Sequence, residues 1–426
     1  MADDPPEEFA KCLPDDALER VSLANRYEFL NRNLEATFET KELGYLREIE
    51  EFCLSVEARV DHAEDFYPWI PWFGERGLVT RGHHFREVGL DQQPHGLVPE
   101  LCRVLACDFF DPEFTMAMGA SVLAVNPILS HHEGVPARLD ALRELVTGTA
   151  IGCICITEPE RGSDALHLLT RLRRVPGGVR LTGSKIYNTN APRADWAVVY
   201  ACEEPSNPKT MAQVLVKLPA EGLRVERVNV PWTPRMYLGR EEFDDVFVPQ
   251  EMVLGDVGRG VPHLLEGLVK ERIGIAALDA SQCWNAVAHA SAYANVREQF
   301  GKPIIQLQGV GFTLADLWAR TANLTRAVYE FCRKYDERYT SKGREPAATT
   351  AQQMAVSASQ LKYHAAWLTR KVCYEAANLM GGAGLCGDTL VKNLVGISMI
   401  QEVGGGARQI QQYIMSRALR AIWKLG

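Results

Sequence analysis

The 426-residue sequence predicts an α+β multidomain protein: an N-terminal α-helical domain, a middle antiparallel β-domain and a C-terminal four-helix bundle. Three observations carry that prediction. Leu46, Ile49, Phe52 and Val56 recur every three or four positions in the first third, the period of one helix face. Between about Ile151 and Gly258 short apolar runs alternate with turn residues, which is the texture of consecutive antiparallel strands. Beyond Gly260, glycine and proline become sparse within three long Ala-rich segments, and helices of that length pack most easily side by side.

Taken in order, residues 1–40 are polar and rich in Pro, Asp and Glu, and are expected to form a surface extension. Residues 41–150 form the first helical domain, interrupted by a Gly-, Pro- and His-rich loop from Gly77 to Pro99. Residues 151–258 form the β-domain. Gly177-Gly178 is a turn into Val179-Arg180-Leu181, Trp196 to Cys202 and Met211 to Leu218 are continuous apolar runs, and Leu223 to Glu226 alternates. No helix-length segment separates these strands, which excludes a Rossmann domain. Residues 259–426 supply the bundle: Pro262 to Gln299, opened by a proline suited to a first helical turn, then Gln308 to Glu337 and Thr349 to Met380. A last helix, Gln409 to Leu425, closes it.

Composition removes several classes of function. Hydrophobic residues make up 46% and charged ones 23%, which excludes wholesale disorder. A net charge of −8 argues against nucleic acid or an anionic membrane as the main partner. No apolar run reaches the roughly 20 residues that span a bilayer. The start, MADDPPEEF, is acidic where signal and transit peptides are basic. The 11 cysteines include no CxxC pair, and Cys153 and Cys155, one residue apart, suit neither zinc nor a thioredoxin-type site. A cytoplasmic location with reduced thiols is expected. His83-His84 and His131-His132 are adjacent pairs whose members point different ways, so no metal site is expected. GxSxG, HExxH and Walker sequences are absent.

Four motifs remain. Ile156-Thr157-Glu158-Pro159 is followed by Gly162-Ser163-Asp164, a tight loop offering a hydroxyl and backbone amides. About 25 residues on comes Gly183-Ser184-Lys185-Ile186-Tyr187-Asn188-Thr189-Asn190-Ala191, then Ala194-Asp195-Trp196. The third is Tyr293-Ala294-Asn295-Val296-Arg297-Glu298-Gln299-Phe300-Gly301-Lys302 with Gln308 beyond, and the fourth Met380-Gly381-Gly382-Ala383-Gly384-Leu385. Gly382, Gly384 and Gly387 also spell GxGxxG, but after a long helix instead of a strand, so a dinucleotide fingerprint lacks its context.

In this order and spacing, from about Thr40 to the C-terminus, the motifs resemble the acyl-CoA dehydrogenase family of flavoproteins. The resemblance implies FAD. Ile156 and Thr157 would face the isoalloxazine, Tyr187 would cover it and Thr189 would sit near its N5. Arg297, Phe300, Gln308, Gly381 and Gly382 would serve the FAD of a neighbouring subunit, Arg297 as a planar fork on the pyrophosphate. A homotetramer or homodimer follows from those roles. Ser163, Arg272 and Gly405 would lie along the acyl-CoA thioester substrate, and an electron-transferring flavoprotein would be the acceptor. Trp69 and Trp72 read as packing aromatics.

The family's chemistry needs a base for the Cα proton of the thioester. Its usual glutamate lies twenty residues past the glycine motif, which here is Gly405, within Glu402-Val403-Gly404-Gly405-Gly406-Ala407. Gln409-Ile410-Gln411 downstream keeps the same register, and Ala407 replaces the family's threonine. Isovaleryl- and long-chain members carry the base on another helix, just before an arginine, and Glu271-Arg272 matches that pair. Independently, Glu271 falls in register with Leu264, Leu268, Ile275 and Leu278, an otherwise apolar stripe. A carboxylate there is costly unless paired, and burial raises its pKa as a general base requires. Glu271 is therefore the expected base, with Glu402 the fallback. The implied reaction is α,β-dehydrogenation of an acyl-CoA or carrier-bound acyl thioester. Two alternatives stay open: non-redox elimination or desulfination on the same scaffold, and a flavin-binding partner subunit without turnover.

Overall fold

The structure, a computed structural model, describes residues 13–82, 89, 94–340, 348–386 and 389–423. The expected His83-His84 pair, Gly387 and part of the Gly77–Pro99 loop lie outside these residues. Among the described residues, seven α-helices come first: α1 (Asp15–Arg20), α2 (Leu23–Leu34), α3 (Thr40–Glu57), α4 (Ile70–Glu75), α5 (Leu97–Phe110), α6 (Pro112–Leu129) and α7 (Pro136–Val146). Residues 13–40, the described part of the expected surface extension, correct that expectation. Leu23, Tyr27, Leu30 and Leu34 of α2 are spaced four, three and four apart and all buried. Arg26, also buried, donates to the Phe109 carbonyl at 2.8 Å and to Asn285 Oδ1 at 2.9 Å. Polar composition concealed an amphipathic helix whose apolar stripe needs a core to cover it.

The sheet comprises β1 (Gly152–Cys155), β2 (Arg171–Val175), β3 (Gly178–Thr189), β4 (Trp196–Cys202), β5 (Met211–Lys217), β6 (Leu223–Val228), β7 (Leu238–Pro249) and β8 (Val253–Leu254). Its order is β6-β7-β3-β2-β4-β5-β8, with β1 added beside β4. Most pairings are antiparallel, but β1 runs parallel to β4 from Gly152↔Trp196 to Cys155↔Val199, and Arg171 meets Cys202 in a parallel contact. The sheet is mixed, not purely antiparallel: a chain arriving from α7 enters beside β4 in the same direction. No βαβ unit accompanies it.

The C-terminal part opens with α8 (Gly260–Val296), followed by the short hairpin β9 (Glu298–Gln299) and β10 (Lys302–Pro303). Then come α9 (Gln308–Tyr335), α10 (Ala348–Met380), α11 (Val391–Val403) and α12 (Arg408–Ile422). The fourth position of the bundle is filled by two shorter helices where the sequence suggests one. Small residues let α8 and α10 approach closely, and polar groups cross between helices where they can be satisfied. Trp284 Nε1 donates to Thr325 Oγ1 at 2.8 Å, and Thr369 Oγ1 to the Asp279 carbonyl at 3.2 Å. Trp69 packs among His62, Phe66, Phe110 and Phe114.

Asn190 joins the helical and β parts. It adopts φ 74°, which its short side chain tolerates, and is fully buried. Its amide donates to the Ala117 and Gly152 carbonyls at 2.8 and 3.1 Å while its oxygen accepts from Tyr67 at 2.8 Å.

Candidate active site

The loop carrying Ile156 and Thr157 is fastened to β3 from beneath. The Lys185 ammonium, wholly buried, donates to the Ile156 carbonyl and to Glu158 Oε1, each at 2.9 Å. Glu158 in turn accepts the Leu169 and Thr170 amides at 2.6 and 2.8 Å. Burial opposes the Glu158 charge, and Lys185 together with the Thr170 and Leu169 hydrogen bonds outweighs it, holding the carboxyl below its ordinary range. The Ile186 amide donates to the Thr157 carbonyl at 2.9 Å, which brings the first two motifs together.

Tyr187 is the residue this platform presents. The β3–β7 register shifts between Ile186 and Asn188, and Tyr187 sits in the resulting bulge at φ 64° with 61% of its surface exposed. A bulky side chain in the left-handed region is strained, and strain of this kind gathers at functional sites. The bulge aims an aromatic face outward beside Thr157, with Thr189 two residues on; a flat heteroaromatic ring fits against such a surface. Ser163 is exposed on the loop beyond the Glu158–Arg161 bridge.

Glu271 stands on α8 where that helix lines a cleft with α6 and β1. Asn126, Ser130, Ile156, Leu264, Leu268 and Glu271 all face the cleft, so the expected base and the expected flavin loop share one space. Glu271 is half-buried and lines the cleft. Burial raises its carboxyl above the ordinary range; Arg272, Lys362 and the Gly405 amide pull the other way. Glu402, the fallback, is differently engaged. Its carboxylate pairs with Arg408 (Nε to Oε1 2.6 Å) and Arg370 (3.4 Å).

Gly405 lies directly against Glu271. A Cβ built there would meet Ile275 Cδ1 at 2.8 Å and the Cγ and Cδ of Glu271 at 3.6 Å, and the residue adopts φ 62°. The glycine loop is tied down from three helices. Arg272 Nε donates to the Gly405 carbonyl at 3.2 Å, and Gln411 Nε2 to the Gly405 and Gly406 carbonyls at 3.0 and 2.7 Å. Lys362 Nζ reaches the Glu402 and Gly406 carbonyls, each at 3.0 Å. Arg272 thus holds the loop from a buried position. Lys362 escaped the sequence reading and Gln411 entered it only as a marker of register; the one available signal for Lys362 was a lysine in register with Ala358, Ala365, Ala366 and Thr369.

The remaining predicted residues lie apart from this cluster. Arg297, Phe300 and Gln308 are exposed around the β9–β10 hairpin, Phe300 at 90%, and Gly381 and Gly382 are exposed at the end of α10. Arg297 follows Glu271 by 26 residues of α8, about 39 Å at the helical rise. The structure does not bring these two sets together within one chain.

Two family models match: the acyl-CoA dehydrogenase middle domain over residues 153–246 and its C-terminal domain over residues 258–420. The chain belongs to the acyl-CoA dehydrogenase family. By that membership it is an oxidoreductase and an FAD flavoprotein. The isovaleryl-CoA dehydrogenase of Oryza sativa is 28% identical over 305 residues, covering 70% of each chain. The L-prolyl-[peptidyl-carrier protein] dehydrogenase of Serratia is 29% identical over 288 residues, 65% of this chain and 69% of that one. Butyryl-CoA dehydrogenase from Megasphaera elsdenii superimposes with a TM-score of 0.77 at 23% identity, over 97% of this chain and 100% of that chain, which shows the shared fold. No helix of the described residues is long and apolar enough to cross a membrane, and no metal-ligating cluster occurs among them.

Proposed function

We propose that this protein dehydrogenates an acyl thioester between Cα and Cβ, with Glu271 taking the Cα proton. The observation that carries the proposal is the position of Glu271: a carboxylate on an apolar stripe, in the cleft that also holds Ile156, with its pKa raised by burial. FAD, when bound, supplies the acceptor for the hydride that leaves Cβ. Tyr187, Thr157 and Thr189 would hold and cover its ring, and Leu264 and Leu268 would keep water from the reacting carbons. A raised pKa gives Glu271 the proton affinity that an ordinary carboxylate lacks, while Arg272 and Lys362 oppose the effect of burial.

The thioester is carried by coenzyme A or by a carrier protein; relatives of similar identity are named for each. The 39 Å stretch of α8 supports giving Arg297, Phe300, Gln308, Gly381 and Gly382 to the FAD of an adjacent subunit, hence a homodimer or homotetramer. An electron-transferring flavoprotein is the proposed acceptor. The proposed cytoplasmic setting is in keeping with ten described cysteines that form no disulfide.

The purified protein, anaerobic and flavin-loaded, is titrated with a panel of acyl-CoAs and acyl-carrier thioesters while its visible spectrum is followed. Bleaching is expected with one class of thioester. Glu271→Gln should retain its flavin and lose roughly 10²–10⁴-fold in the rate of bleaching. A variant that bleaches at the wild-type rate transfers the role to Glu402. Product formed with no bleaching points to elimination, and neither product nor bleaching to a partner subunit.

A further inference from the structure

The face that α10 turns to α8 is built from small residues: Ala358, Ala365, Ala366 and Thr369, all buried. Lys362 lies in the same stripe with 0% exposure. An ammonium in that setting is costly unless acceptors surround it. Its acceptors are the Glu402 and Gly406 carbonyls, at the C-terminal end of α11 and in the loop that follows. Helix ends leave carbonyls without helical partners and carry partial negative charge, so a cation is well placed there.

Charged groups approach from every side. Asp279, Glu271 and Arg272 of α8 and Glu402 of α11 act on Lys362. Burial brings the ammonium down to about 8 against the pull of the three carboxylates, which leaves it charged at neutral pH. Glu271, for its part, meets Arg272 on its own helix, Lys362 from α10 and the Gly405 amide from the loop. His263, Glu266 and Lys270 line the cleft farther along α8, and α6 and β1 contribute no charged side chain to the lining.

We infer that Lys362 is a positioning residue for Glu271: it pins the glycine loop against the carboxylate through the Glu402 and Gly406 carbonyls and places a positive charge behind it. The inference rests on the reading of Glu271 as base and extends it to the residue that sets the base's geometry and charge. Removing Lys362 should loosen the Gly405 amide and withdraw a cation, and each change favours the protonated form of Glu271.

The test reads Glu271 itself. Infrared difference titration of the flavin-loaded protein follows the protonated carboxyl band, assigned as the one that disappears in Glu271→Gln. Lys362→Met should raise the midpoint of that band by about one pH unit, a tenfold gain in proton affinity. Lys362→Gln, which retains two N–H donors for the carbonyls, should move it in the same direction by less and serves alone if the methionine variant does not fold. Lys362→Arg should return it towards the wild-type midpoint. An unchanged midpoint in folded Lys362→Met or Lys362→Gln overturns the inference. Because the band reports on Glu271 whether or not it abstracts a proton from substrate, that failure is distinct from failure of the base assignment.

Discussion

At the scale of single residues, Glu271 and Gly405 occupy one small volume, and each explains the other. A Cβ on Gly405 would stand 3.6 Å from the Glu271 carboxyl carbon, so the position that the resemblance gives to the family's usual base adjoins the base proposed here. Gly405→Glu in the Glu271→Gln background should therefore recover part of the bleaching activity. Recovery should be incomplete, because φ 62° costs a non-glycine residue about 1–2 kcal/mol and Ile275 Cδ1 must move. Rapid anaerobic kinetics and urea unfolding of the double variant check the two halves; a double variant as inactive as Glu271→Gln alone would show that the two positions do not reach the same carbon. Glu271 was legible in the sequence because a carboxylate interrupts the run Leu264, Leu268, Ile275. Lys362 was not. A lysine in an alanine-rich helix reads as a side chain that snorkels to water, and its real partners lie forty and more residues away in sequence.

Among elements, the β3 strand shows how local rules and tertiary context divide the work. Its start was legible as the Gly177-Gly178 turn into Val179-Arg180-Leu181, and the bulge that exposes Tyr187 falls within the second motif. What no local pattern revealed was the direction of β1: four residues, Gly-Cys-Ile-Cys, pair equally well either way, and only the approach of the chain from α7 makes the β4 pairing parallel. The amphipathic α2 was missed for a different reason: Pro, Asp and Glu dominate the composition of residues 1–40, while the apolar spacing that matters begins at Leu23. Beneath the Ile156–Thr157 loop, Lys185 and Glu158 form an ion pair with almost no exposed surface. Lys185→Met should leave Glu158 buried with its two amide donors but no counter-charge, a loss of about 3–5 kcal/mol. Denaturant unfolding measures it, and Lys185→Met with Glu158→Gln should recover a substantial part. A single-variant loss below about 1 kcal/mol would mean the pair is not what fastens the loop.

Across the whole molecule, the joint between the helical and β parts is ionic as well as packed. Asp111 caps α6 through the Phe114 amide at 3.0 Å and takes Arg235, from the β6–β7 connection, at 2.7 and 2.9 Å. Glu113 accepts the Arg235 and Met236 amides at 2.9 and 3.2 Å. His62 completes the network, bonding Asp111 at 2.9 Å and Glu57 at 2.7 Å. Burial disfavours its charge, but the two carboxylates outweigh burial and raise its pKa to about 9. In the unfolded chain a histidine titrates near about 6.5. The folded protein therefore binds the proton more tightly, so the contribution of His62 is fully present below about pH 6.5 and is lost as pH rises through about 9. Wild-type melting temperature should fall between those limits, and the fall should be smaller in His62→Gln, which keeps a hydrogen-bonding side chain without the charge. Asp111, whose pKa is depressed because His62 and Arg235 outweigh its burial, works in the opposite direction: its contribution holds above the ordinary aspartate range and disappears as pH falls below it. The variant and wild-type melting curves should thus diverge most at pH 6 to 7 and converge near pH 9 and above. Parallel curves across that whole range would show that folding leaves the His62 pKa unshifted and that its charge adds nothing to the joint.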